Sequence, residues 1–444
     1  MDGRTVAAEP LLVAKVRLYG LGLVIVVSAE AIGTISFQVG PGKILLMPLV
    51  WAVVIGGIWS ALARVMPAPV RAGRATQWYG ASVMQPALLL FIGKLGLLVG
   101  SSLPTVFASG WSLVFQEFGH FVGTMVFGLP VALLLGIKRE AIGATFSVGR
   151  EPSLAIIGEK FGMSSPEGRG VLAEYITGTV FGAVFIGLLA GFLASLNLFD
   201  PIALAMGAGV GSGSMMAAAS GAIAAQQSPD VAKQVAVFAG AANLLTTTVG
   251  TYFTLFLSLP FTIWAYGVLE PVLGRVALRR PAAAGPVERA EAPGAADPHG
   301  PLGLGERLTA WVVTAVLALI GNLIGFHLSI IEALPGMGII LAATILGYGL
   351  SRLFRSAIPV VCWVSLAGML ATCPGVPFAA ETQRLTAQVN VLALITPILA
   401  FAGLSIAKDL PAFRRLGWPI IVTSFMANAG TFLGATLIAQ FFRH

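Results

Sequence analysis

Residues 96–124 read GLLVGSSLPTVFASGWSLVFQEFGHFVGT, and residues 403–431 read GLSIAKDLPAFRRLGWPIIVTSFMANAGT. The second stretch repeats the first without a gap, 307 residues later. Gly96-Leu97 corresponds to Gly403-Leu404, Leu103-Pro104 to Leu410-Pro411, and Gly110-Trp111 to Gly417-Trp418. Phe118 corresponds to Phe425, and Gly123-Thr124 to Gly430-Thr431. Each copy is an apolar segment, a short Leu-Pro…Gly-Trp loop and a second apolar segment. The first loop is uncharged, whereas the second carries Lys408, Asp409, Arg414 and Arg415. Basic loops favour the cytoplasmic side of a membrane, so the two copies are predicted to lie upside down relative to each other. Inverted repeats of this kind are the plan of many secondary transporters that alternate access about a central site.

The composition agrees with a bilayer as solvent. Of the 444 residues 57% are hydrophobic and 10% charged, and the mean hydropathy is +0.90. A soluble domain carries about a quarter charged residues. The net charge of +7 comes from short basic clusters between apolar runs, which suits cytoplasmic loops and excludes a nucleic-acid surface. Cys362 and Cys373 match no zinc spacing and read as apolar fillers.

Apolar runs of about 20 residues, enough to cross a bilayer, occur at 17–37, 44–64, 82–101, 111–137, 169–196, 231–258, 306–328, 335–352, 357–373, 388–407 and 416–440. The expected fold is therefore an all-α polytopic membrane protein with about 11 transmembrane helices. Two further segments, 141–166 and 201–230, are rich in Gly, Ala, Ser and Pro and read as re-entrant or broken. Irregular backbone at membrane depth survives only when buried in protein or lining a cavity. The Pro/Ala/Gly stretch 281–303 reads as a cytoplasmic linker. It separates an N-terminal half, 1–280, from a C-terminal half, 304–444, that holds the inverted partial repeat. The basic loops put the N-terminus in the cytoplasm and His444 outside, in a bacterial inner membrane.

The strongest local signal is Gly207-Ala-Gly-Val-Gly-Ser-Gly-Ser-Met-Met-Ala-Ala-Ala-Ser-Gly221. A break at Gly209–Gly213 exposes N–H groups at a half-helix N-terminus, which attracts anions. Gly209, Gly211, Ser212, Gly213 and Ser214, with Asn243 on the following helix, form the candidate substrate site. Tight small-residue helix packing is the other reading of the same run. Arg150, beside Glu151 and Pro152, has the geometry to clamp a carboxylate or to pair with Glu151 or Glu174. Glu159, Lys160, Glu167 and Arg169 read as a solvated turn.

Ionisable residues inside spans are functional candidates. They are Glu30, Lys94, Glu117, His120, Glu174 and His327. Glu117 and His120 lie three apart and share a helix face. With Thr247 they are the candidate ion-coupling group, while a structural Lys94–Glu117 ion pair is the plainer reading.

The run Gly207–Gly213 followed by Ser214-Met-Met-Ala-Ala-Ala-Ser resembles the Gly-rich re-entrant signature of the 2-hydroxycarboxylate and glutamate–sodium symporter families. Asp200-Pro201 before it and the Asn243 helix after it extend the likeness over 169–258. The symporters' second Gly-rich hairpin has no counterpart in the C-terminal half. The whole chain is similar to a bacterial multi-pass membrane family of unassigned function. The symporter resemblance implies a dimeric carrier for small organic anions, coupled to Na⁺ or H⁺.

No Walker A loop, His-Glu-x-x-His or Gly-x-Ser-x-Gly elbow occurs, so neither an enzyme nor a cofactor site is expected. The sequence is read as a secondary-active transporter of a carboxylate or amino acid. A channel, or a membrane protein without transport activity, is the alternative.

Overall fold

The computed structural model describes residues 11–39, 42–108, 110–148, 151–162, 165–248, 250–278, 302–354, 360–415 and 417–443. The chain opens with α1 (Leu11–Ile32), a hairpin of β1 (Ile35–Val39) and β2 (Gly42–Leu46), and α2 (Pro48–Ala61). Then come α3 (Arg74–Ser101), the short α4 (Leu103–Ala108) and α5 (Trp111–Leu134). Short helices follow, α6 (Glu140–Thr145) and α7 (Glu151–Lys160). A π-helical turn, Gly178–Gly182, joins α8 (Pro166–Thr177) to α9 (Ala183–Ser195). Next are α10 (Pro201–Ala208), α11 (Gly213–Ala224) and α12 (Pro229–Thr248). The one-turn α13 (Gly250–Phe253) runs through a π-helical turn, Thr254–Ser258, into α14 (Leu259–Leu273). The C-terminal part holds α15 (Leu304–Phe326), α16 (Ile330–Leu353), α17 (Val360–Thr372) and α18 (Ala379–Ala387). It closes with α19 (Val391–Arg415) and α20 (Trp418–Arg443).

Among the described residues, nine helical stretches are long and apolar enough to cross a membrane: Leu11–Ile32, Ala68–Ser101, Trp111–Leu134, Pro166–Ser195, Thr254–Leu273, Leu304–Phe326, Ile330–Leu353, Val391–Lys408 and Trp418–Phe442. Three expected spans change. The run 44–64 becomes a hairpin and a 14-residue helix, with Pro48 fixing the start of α2. The run 357–373 becomes the 13-residue α17. The run 231–258 divides, because Asp230 and Lys233 make the start of α12 polar, and the apolar crossing shifts to Thr254–Leu273. The linker expected at 281–303 lies outside the described residues apart from Leu302 and Gly303.

Large apolar side chains such as Leu12, Phe256, Trp264, Val272 and Leu353 are exposed on the outer faces of their helices. In water such a surface would aggregate; against lipid it is the expected exterior. The interior is built from small residues that let backbones touch. On α5 and α20, Gly119 meets Gly434 and Gly123 meets Gly430, so the two helices run antiparallel. A Cβ at Gly123 would collide with the Gly430 carbonyl, and one at Gly430 with the Gly123 carbonyl. The Thr124 and Thr431 hydroxyls hydrogen-bond each other beside this contact. Two further close contacts involve repeat positions. Gly96 of α3 packs on Ser365 of α17, and Gly403 of α19 packs on Val53 and Gly57 of α2.

Of the residues read as a solvated turn, Lys160 is exposed, whereas Glu167 and Arg169 are built into the fold. Glu167 is 2% exposed and pairs with Arg139 at 2.6 Å. Arg169 pairs with Glu140, also at 2.6 Å. These two ion pairs tie α6 to the start of α8, where Ser165 caps the Gly168 N–H at 2.9 Å.

Candidate functional site

The Gly-rich run forms a helix, a break and a second helix. Asp200 caps α10 by accepting from the Ile202 N–H at 2.7 Å, and Pro201 supplies a first residue that needs no N–H partner. After Ala208 the chain leaves the helix. Gly211 adopts φ +111°, a conformation that a side chain would strain. Ser212 then caps α11, its hydroxyl accepting from the Met215 N–H at 3.3 Å.

The break is held from α12. Asn243 is buried, and its Nδ2 donates to the Gly209 carbonyl at 2.9 Å and the Gly211 carbonyl at 3.5 Å. These carbonyls lie where the helix is interrupted. A side chain at Gly209 would strike α12 at Ala239, Ala242 and Asn243, so only glycine allows this approach. The Ser212 and Ser214 hydroxyls lie 3.1 Å apart, and Gly213 packs on Leu88 of α3. Gly209, Gly211, Ser212, Gly213, Ser214 and Asn243 therefore come together as one unit. Arg150 lies outside the described residues.

The candidate ion-coupling residues attach to the same helix. Glu117 of α5 is 2% exposed. It accepts from Gln116 Nε2 at 2.8 Å and from the Thr246 hydroxyl of α12. Thr246 lies three residues beyond Asn243, on the same face. His120 Nδ1 is 3.6 Å from Glu117 Oε2, beyond a direct hydrogen bond. Gly250 leaves room for the carboxylate. The Thr247 hydroxyl donates to the Asn243 carbonyl at 2.7 Å. One helix, α12, thus links the break to the buried Glu117–His120 pair.

The Lys94–Glu117 pair does not form. Lys94, 2% exposed, turns the other way and donates its Nζ to the Thr386 carbonyl at 2.5 Å, in the last turn of α18. Only the short α4 separates the two helices, but their rotation aims the side chains at different neighbours, α12 for Glu117 and α18 for Lys94.

A second break escaped the sequence reading. Between α18 and α19, residues Gln388–Asn390 leave the helix. Asn322 of α15 spans the gap, its Nδ2 donating to the Gln388 carbonyl and its Oδ1 accepting from the Asn390 N–H, both at 2.9 Å. Asn390 in turn caps α19 by accepting from the Leu392 N–H at 2.9 Å. Further along α19 the Thr396 hydroxyl donates to Glu30 Oε1 at 2.7 Å, and the Glu30 carboxyl lies against Gly321 and Gly325 of α15. The available signal was Asn322, a lone amide inside an apolar helix, as Asn243 is. The helices that follow the two breaks touch, Gly221 of α11 packing on Leu392 of α19.

Bilayer-length apolar helices surrounding two short-range breaks in buried backbone define the class: a polytopic α-helical membrane protein of unassigned activity. Residues 27–268 match the family model described as "Protein of unknown function (DUF3100)". That match spans more than half of the 444 residues, and the chain belongs to this family. No curated protein matches the chain, and no solved structure matches it. The likeness to the symporters therefore rests on sequence motifs within 169–258, not on any matched protein.

Proposed function

We propose that this protein is a secondary-active transporter of a small organic anion, a carboxylate or an amino acid, driven by a Na⁺ or H⁺ gradient. The observation that carries the reading is the paired breaks. One buried asparagine spans Gly209–Gly211 and another spans Gln388–Asn390. Discontinuous helices at the centre of a membrane fold expose backbone dipoles to a ligand, and carriers use them as binding sites. The repeat adds support. Gly123 and Gly430, and Thr124 and Thr431, are corresponding positions of the two copies, and they meet across antiparallel helices. That contact is what a pseudo-two-fold axis lying across α5 and α20 produces, the symmetry of an inverted-topology repeat. In this scheme α12 transmits between ligand and ion, through Asn243 to the first break and through Thr246 to Glu117.

Isolated polar sites in an otherwise apolar interior favour a carrier over a channel, which needs a continuous polar lining. The test is uptake of radiolabelled carboxylates and amino acids into proteoliposomes. Saturable uptake that collapses without an imposed Na⁺ or pH gradient is expected. Uptake that neither saturates nor needs a gradient would mark a channel, and no uptake of any of these compounds would refute transport of this class.

A further inference from the structure

Lys94 is a buried amine whose charged form the described residues do not balance. It lies about two turns before the end of α3 and is 2% exposed. Its hydrogen-bond partner is the neutral carbonyl of Thr386 at 2.5 Å. An ammonium has three N–H donors, and among the described residues this is the hydrogen bond it makes. Lys233 of α12 also acts on it, with the same sign. Charged groups within a membrane fold are paired with each other or serve a pathway, and a buried charge without a counterion is strongly unfavourable.

The surroundings are those of a junction. Leu88, less than two turns before Lys94, packs on Gly213 at the start of α11. Leu95, the next residue, packs on Gly240 of α12, one turn before Asn243. Thr386 precedes the Gln388–Asn390 break, and Gly336 of α16 packs on Leu385 and Thr386. The Lys94 segment of α3 thus runs between the two breaks, with its ammonium on the side of the second.

We propose that Lys94 is the fixed countercharge of an anionic ligand bound where α3, α12 and the α18–α19 break converge, and that the ligand group is a single carboxylate. One buried ammonium balances one carboxylate, whereas a phosphate dianion would leave excess negative charge in a buried site. The C-terminal carbonyls of α18 hold the lysine toward the break through Thr386. The proposal rests on the reading of the chain as an anion carrier only for its physiological role, because ligand binding is measurable without transport.

The experiment uses the purified full-length protein in detergent. Thermal unfolding is followed during titration with acetate, succinate and glutamate, with inorganic phosphate as comparator, at constant Na⁺ and ionic strength. A saturable rise in Tm is expected with at least one carboxylate and not with phosphate. In Lys94→Met the affinity falls by about tenfold or more, while the ligand-free Tm rises, because an uncompensated charge has been removed. Lys94→Arg retains the charge and the carboxylate-dependent shift, and it stands as the test if Lys94→Met does not fold. Four results overturn the proposal: no carboxylate shifts the wild-type Tm; the shift persists in Lys94→Met; phosphate stabilises as well as the carboxylates; or Lys94→Met lowers the ligand-free Tm, as loss of a helix cap would. Binding that depends on Lys94 without saturable uptake would refute the carrier reading alone. Saturable uptake unchanged in Lys94→Met would refute the role of Lys94 alone.

Discussion

Gly211 and Gly213 stand two residues apart in one glycine run, yet the structure gives them different reasons to be glycine. At Gly211 the reason is backbone conformation, since φ is +111° and any side chain is strained there. At Gly213 it is the terminal methyls of Leu88, which have rotamer freedom. Gly211→Ala is therefore expected to destabilise the protein by about 1–3 kcal/mol, and Gly213→Ala by clearly less. Thermal unfolding of the two variants checks this, and equal losses would mean that the left-handed turn is not what the break requires. Lys94 and Glu117 supply a second case. Because they contact different helices, Lys94→Met and Glu117→Gln should be additive, with a coupling energy below about 0.5 kcal/mol. A larger coupling, with the double variant restored, would mean that the two charges meet in some state of the protein. Sequence spacing put both residues on one hairpin but could not supply the rotation of α3 about its axis, and that rotation decides the partner.

The elements most legible in the sequence were those whose local chemistry agrees with their packing. The Gly207–Gly213 break was readable because glycine density, flanking serines and the Asp200-Pro201 start all point the same way. The Gln388–Asn390 break was not, because it contains no glycine and abuts the apolar run of α19; its capping asparagine acts through Asn322, 68 residues away. The hairpin at β1 and β2 was hidden for a related reason, since Ile35–Phe37 and Ile44–Leu46 continue the apolar runs on either side of it. The span at Thr254–Leu273 was obscured by Pro260, Glu270 and Pro271, which interrupt a hydropathy pattern without interrupting the helix. At the α5–α20 contact, glycine meets backbone rather than a side chain that can move. Gly123→Leu and Gly430→Leu are each expected to cost about 3 kcal/mol or more, and by similar amounts, since each would strike the other's carbonyl. Detergent-solubilised variants with wild-type Tm would show that these helices can separate at no cost.

For the whole molecule, the antiparallel meeting of α5 and α20 fixes a testable topology. The loops leading into these helices, at Gly110 and Gly417, belong at opposite faces of the membrane. Single cysteines introduced at Gly110 and Gly417, in a background lacking Cys362 and Cys373, should be labelled by an impermeant thiol reagent from opposite sides. Labelling of both from one side would overturn the inverted arrangement, whatever the number of crossings.

The hydroxyls of Thr124 and Thr431 carry a further consequence. They occupy corresponding positions and touch each other, but a single hydrogen bond cannot be symmetric, because one oxygen must give the proton and the other receive it. Thr124 already gives its proton to the His120 carbonyl at 2.6 Å, so Thr431 is the giver between them. The chain of protons therefore points from the second copy, through the first, toward the turn of α5 that bears His120. The two copies of the repeat are thus told apart at their meeting point by the direction of a proton. Reversing that arrow requires Thr124 to let go of His120.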